Sequence, residues 1–215
     1  MSRRQKGSGW STAEEILDRL EKDPVWVARR KADEEWRQAR ARRLSAEEAQ
    51  LVADLAEAGV VVSSVWDLVN TRQPYPEAIP VLLDHLKIST YRSEIRDGIA
   101  RALTVKHPET KAALPELLAA FRRDPEIMLN GAKWALGNAI CVLFDDRHVE
   151  EVAELARDPA HGPARGMLLR ALAKSNSEIA RTTLEALRDD PDSHIAGLAT
   201  QALERWHRKQ ARRRR

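Results

Sequence analysis

The sequence predicts an all-α protein made of helical hairpins stacked one on the next, and three observations lead there. Leu, Ala, Arg and Glu dominate, while aromatics make up 5% of the chain and six of the ten are Trp. Gly and Pro fall mostly between stretches whose apolar residues recur at helical spacing, the profile of a chain without sheets. One short pattern also returns along the chain. The pairs Ala102-Leu103, Ala135-Leu136, Ala171-Leu172 and Ala202-Leu203 stand 33, 36 and 31 residues apart, and a glycine precedes each by a turn or so (Gly98, Gly131, Gly166, Gly197). Such repetition marks units that bury their faces only by stacking on a neighbour. With 215 residues and 43% apolar content, the chain can bury the core of one domain or of one short array.

The elements follow in order. Residues 1–10 form a basic lead ending at Trp10. Ser11 with Glu14 makes a capping-box pattern for a first helix through about residue 21. Asp23 caps and Pro24 opens a second helix running to about residue 43, with a thin apolar stripe of Val25, Ala28, Ala32, Trp36 and Ala39. That stripe fits either a solvated helix along the body or a docking seam. Ser45 with Glu48 reads as a second box, starting a helix that ends at Gly59. Val60, Val61 and Val62 lack a partner strand and are expected to form a buried connector. Ser63 or Ser64 then caps a short helix over 65–70.

From residue 75 onward the pattern is regular. First helices of each hairpin are expected over 75–86, 109–121, 148–156 and 176–187. Second helices fall over 94–105, 125–143, 162–173 and 193–208, and these carry the Ala-Leu pairs. Three turns repeat a carboxylate before proline: Asp124-Pro125, Asp158-Pro159 and Asp190-Pro191, each expected to cap and open the next helix.

Over residues 45–208 the chain resembles the HEAT-like and armadillo-like helical-repeat proteins. Two helices in about 33 residues look more like the HEAT unit than the three-helix armadillo unit. The resemblance implies a short right-handed α-solenoid of about five hairpins. A basic two-helix extension over 1–44 precedes it, and a basic disordered tail over 209–215 follows. Trp134-Ala-Leu-Gly-Asn138 looks like the armadillo segment whose Trp and Asn grip an extended peptide in importin-α. Trp66-Asp-Leu-Val-Asn70 matches that segment more weakly. The equivalent places elsewhere hold Arg101 with Val105, Arg170 with Lys174, and Gln201 with Arg205, so a continuous Trp–Asn ladder is absent.

One row therefore crosses the repeats: Trp66, Arg101, Trp134, Arg170 and Gln201. If it faces an inner surface, its alternating Trp and Arg make a cation–π and hydrogen-bonding strip, extended by Asn70, Asn138, Lys174 and Arg205. The alternative wedges both Trp between repeats while the Arg side chains reach past them to water. The acidic cluster Asp145 to Glu151 could be drawn as a metal site, but consecutive acids at a helix start normally serve as caps and dipole partners. No metal ligand set, cofactor site or catalytic set is expected. The six His show no ligand spacing, and neither a phosphate-cradling loop nor a Ser–His–Asp arrangement occurs. Cys141, alone among apolar neighbours, reads as a small buried hydrophobe in a reducing compartment. A basic tail of Arg208, Lys209, Arg212, Arg213, Arg214 and Arg215 either contacts an acidic surface or nucleic acid, or complements a helix end.

Charge narrows the partners. Residues 1–44 carry 12 Lys/Arg against 8 Asp/Glu and residues 200–215 carry 7 against 1, which leaves 45–199 at −7 within a total of +3. A long basic groove for a duplex is not expected from that body. The expectation is a cytoplasmic adaptor or scaffold, not an enzyme, binding a protein with basic residues and spanning no membrane. Two alternatives stay open. One is a nucleic-acid binder resembling HEAT-like glycosylases of alkylated purines, for which Asp67 beside Trp66 is the candidate acid. The other is an immunity or regulatory protein that inhibits a dedicated enzyme.

Overall fold

A computed structural model describes residues 12–88, 90–123 and 131–213. It is 79% helix, without strands among the described residues. Ser11, Asp124, Pro125, Asn130, Arg214 and Arg215 lie outside those residues, as does the side chain of Arg213. No helix among them is long and apolar enough to cross a membrane. The chain divides into two compact units, Met1–Ala46 and Glu47–Arg215.

The first unit holds α1 (Ala13–Glu21) and nearly all of α2 (Pro24–Glu47). The capping box at α1 sits one residue later than Ser11 and Glu14. Thr12 Oγ1 accepts the Glu15 amide at 3.2 Å, and the Glu15 carboxylate accepts the Thr12 amide at 3.0 Å. Asp23 caps α2 as the spacing predicts, its carboxylate accepting the Val25 amide at 2.9 Å. Neither helix has a buried residue, and Val25 and Trp36 of the apolar stripe are 75% and 62% exposed.

Ser45 does not open a helix. α2 runs through it to Glu47, and α3 (Ala49–Glu57) follows without a side-chain cap. The reason is that the expected partner, Glu48, serves a different helix. Its buried carboxylate accepts from Ser64 Oγ at 3.1 Å and the Val65 amide at 3.2 Å, tying it to the start of α4 (Val65–Asn70). Between α3 and α4 the valines are irregular, as expected, but Val61 is 87% exposed and not buried.

Beyond α4 come α5 (Ala78–Leu86), α6 (Ser93–Ala102), α7 (Pro108–Ala112), α8 (Leu114–Arg123), α9 (Ala132–Leu143), α10 (Val149–Arg157), α11 (Arg165–Leu172), α12 (Glu178–Ala186) and α13 (Ser193–Arg213). The helix expected over 109–121 is broken at Ala113, where Pro115 lacks the N–H for a continuous ladder and sits in the first turn of α8. The one expected over 162–173 starts late, because Gly162 (φ 51°) and Pro163 hold a 3₁₀ segment, Pro159–Ala164, ahead of α11. Residues 209–213 continue α13, so they are helical and not a disordered tail.

Of the two described Asp-Pro turns, one caps as expected and one does not. Asp158 caps the 3₁₀ segment, and Asp192 rather than Asp190 caps α13 by accepting the His194 amide at 2.9 Å. Asp190 is taken up by buried Arg165, which meets its two oxygens at 2.8 and 3.1 Å and so fastens α11 to the turn before α13.

Helices pair as α5 with α6, α8 with α9, α10 with α11, and α12 with α13. The second members also pack in succession: α4 on α6, α6 on α9, α9 on α11, and α11 on α13. The first members do the same for α8, α10 and α12, and α3 packs on α5. Leu68, Ile99, Leu136, Leu168 and Ile195 of these helices are buried in the core. Glycines set the closest approaches. A Cβ at Gly98 would lie 2.5 Å from Val65 Cγ1, one at Gly137 2.9 Å from Met167 Cβ, and one at Gly166 2.6 Å from Leu198 Cδ1. Gly131 plays another part, entering α9 as its N-cap at φ +86°.

Candidate partner-binding face

The Trp–Arg row lies along the successive second helices. Trp66 on α4 rests against α6 where Gly98 leaves room, its Nε1 at 3.3 Å from where a Cβ would stand. Arg101, two turns or so from the start of α6, sends its guanidinium between two indoles, 5.9 Å from the Trp66 ring centroid and 5.6 Å from that of Trp134. Asp97, one turn earlier on α6, accepts from Arg101 Nε at 2.9 Å and holds the guanidinium in place. Burial raises the Asp97 pKa, and the guanidinium works in the opposite direction. Trp134 is 41% exposed, Trp66 and Arg101 are half-buried, and Arg170 and Gln201 are exposed.

The companion positions part ways. Asn70 donates its amide to the Trp66 carbonyl at 2.9 Å, a local bond within α4. Asn138 is half-buried on α9, on the face that carries Trp134 and, a turn further, Cys141. Arg170, Lys174 and Arg205 come together with Cys141, Ala173 and Lys209 around a cleft of about 600 Å³. A second hollow of about 380 Å³ continues along α13 between Arg205, Arg208, Lys209 and Arg212. The Lys174 ammonium donates to the Cys141 carbonyl and the Lys209 ammonium to the Lys174 carbonyl. Among the described residues, no carboxylate pairs with Arg170, Arg205, Arg208 or Arg212.

Two clusters escaped the sequence. The first joins α3, α5 and the segment before α6. His85 Nε2 lies 2.7 Å from the Asp54 carboxylate and its Nδ1 2.7 Å from the Tyr91 hydroxyl. The His85 hydrogen bond, followed by that of Gln50, holds the Asp54 pKa down. Both ring nitrogens are used in joining these elements. The second cluster is buried. Lys133 Nζ lies 2.8 Å from His161 Nδ1 and 5.0 Å from the Phe121 ring centroid. Burial, then the Lys133 charge, lowers the His161 pKa. Neither cluster has a sequence signature, since the partners are 31 and 28 residues apart. Asp97 with Arg101, by contrast, is an i, i+4 acid–base pair that spacing could have flagged.

Of the acids singled out earlier, Asp145 and Asp67 act as caps. Asp145 accepts the Arg147 amide at 3.0 Å, and its carboxylate, hydrogen-bonded first by the Arg147 side chain, is lowered to about 2. Asp67 accepts the Ser63 and Ser64 amides at 2.8 and 3.1 Å, closing the box at α4. That commits it to the helix start rather than to a ligand beside Trp66. Comparison with protein-family models, with curated proteins and with solved structures found no match to this chain.

Proposed function

We propose that the chain is a HEAT-like helical-repeat adaptor that grips another protein with the solvent-side face of its second helices. The support is the Trp66–Arg101–Trp134 sandwich. The Arg101 guanidinium, held by Asp97, lies 5.9 and 5.6 Å from the centroids of the two indoles, and Trp134 is 41% exposed. Large, rigid, amphipathic side chains of this kind supply binding energy with little entropy to lose. In this reading the successive packing of α4, α6, α9, α11 and α13 is the inner layer of a short solenoid. The row of Trp66, Asn70, Arg101, Trp134, Asn138, Arg170, Lys174, Gln201 and Arg205 lines that layer. The role is binding rather than catalysis.

The test is affinity capture from the native host with the full chain as bait, beside an Arg101→Ala/Trp134→Ala variant. The captured partner should fall by roughly tenfold or more in the variant, with the thermal transition nearly unmoved. A partner retained undiminished would contradict the proposal. So would a variant that no longer folds, since both residues would then belong to the core.

A further inference from the structure

We infer that the basic cleft between α11 and α13 seats an acidic segment of the partner protein, an assignment that rests on the adaptor reading above. Arg170 and Lys174 line it from one side and Arg205 and Lys209 from the other, and an adjoining hollow along α13 sets Arg208 and Arg212 beside Arg205 and Lys209. The four on α13 follow one another at i, i+3, i+4 and i+7, so they share one face of α13 with Cβ atoms about 5–6 Å apart. Some arginines elsewhere on this chain are matched by acids, as exposed Arg122 is by Glu151 and half-buried Arg181 by Glu178 and Glu185. Here, among the described residues, no carboxylate pairs with the guanidinium groups, and both ammonium groups donate to backbone carbonyls. Like charges gathered without a counter-charge destabilise the folded state until an anion joins them.

Geometry and charge distribution favour a protein over a nucleic acid. The α13 cations span about 10 Å of helix. A nucleic-acid strand places a phosphate every 3.4 Å or so along a duplex and continues past both ends of such a patch. Residues 45–199 carry a net −7, which works against a long polyanion. An acidic peptide can confine its charges to a few residues and then change character. The cleft suits that change, because Ala173 adds an apolar wall and Cys141 is continued back along α9 by Asn138 and exposed Trp134. Guanidinium forks take carboxylates two oxygens at a time. The occupant is therefore an extended run of Asp and Glu flanked by an aromatic or aliphatic residue.

The probe is a short fluorescein-labelled peptide of alternating Glu and Asp ending in Phe-Leu, titrated with the full chain and read by anisotropy. Binding should weaken roughly tenfold or more in Arg170→Glu/Arg205→Glu, and again in Arg208→Glu/Arg212→Glu. All four positions are exposed and the reversals relieve repulsion between like charges, so neither variant should lose thermal stability. Raising the salt should also weaken binding. No binding at low salt, binding indifferent to both charge reversals, or tighter binding of oligothymidylate would each overturn the assignment. If the peptide fails while Arg101→Ala/Trp134→Ala still abolishes capture, only the acidic-segment assignment falls. If both fail, the adaptor reading falls with it.

Discussion

Two buried ion-bearing residues decide much of the local behaviour of this chain, and neither could be read from its neighbours. Lys133 stands in a helix beside an exposed Trp, yet it is 3% exposed because His161 and Phe121 close over it. His161 then has a folded pKa below its ordinary value of about 6.5. As pH falls below that value the unfolded chain takes up the proton first, so stability is lost on acidification. Asp158 opposes this shift, and Arg122 and Arg165 add to it more weakly than Lys133. Lys133→Met should therefore shrink the drop in melting temperature between about pH 7.5 and pH 5.5 without removing it, because burial is the larger cause. His161→Phe should remove this contribution. An unchanged acid slope in both variants would refute the linkage. The Arg165–Asp190 pair gives a sharper loss: Asp190→Ala leaves a guanidinium 2% exposed without its anion. Urea denaturation should show a cost of about 3–5 kcal/mol, much of it recovered in Arg165→Met/Asp190→Leu.

The helices themselves were largely legible, because their apolar spacing and their Asp, Ser and Pro boundaries are local. What spacing left unresolved was the work of each glycine. Gly131 and Gly137 flank Trp134 in one motif, but Gly131 turns the backbone into α9 while Gly137 lets Met167 of α11 press close. Telling a capping glycine from a packing one requires the first residue of the helix, which a repeat period does not fix. Contrasting effects follow. Gly137→Ala must displace Met167 Cβ and should destabilise by about 1–3 kcal/mol. Gly197→Ala, with nothing within 4 Å of the new methyl, should stabilise by about 0.5–1 kcal/mol from helix propensity alone. Denaturant midpoints of the two variants moving in the same direction would contradict that distinction. The same limit explains the misplaced boundary at Ser45: a Ser-x-x-Glu pattern is visible, but that Glu48 caps a helix 17 residues onward is a tertiary fact.

The charge polarity of the whole chain was visible as numbers, and its placement was not. The sequence shows an acidic body with basic ends. Folding brings Arg170 and Lys174 from the acidic stretch alongside the cations of α13, so part of the body belongs to the basic pole. For that reason the expected preference for a basic partner is replaced, at this cleft, by a proposal of the opposite sign. The proposal stands only if the second helices follow one another in a row. Nitroxide labels at Asn70→Cys on α4 and Gln201→Cys on α13, in a Cys141→Ala background, measure this by pulsed electron resonance. Four successive helix-to-helix steps of about 8–10 Å predict a separation of roughly 30–40 Å. A distance under about 20 Å would mean that the outer helices close on each other as a bundle, with no open row left to hold a partner.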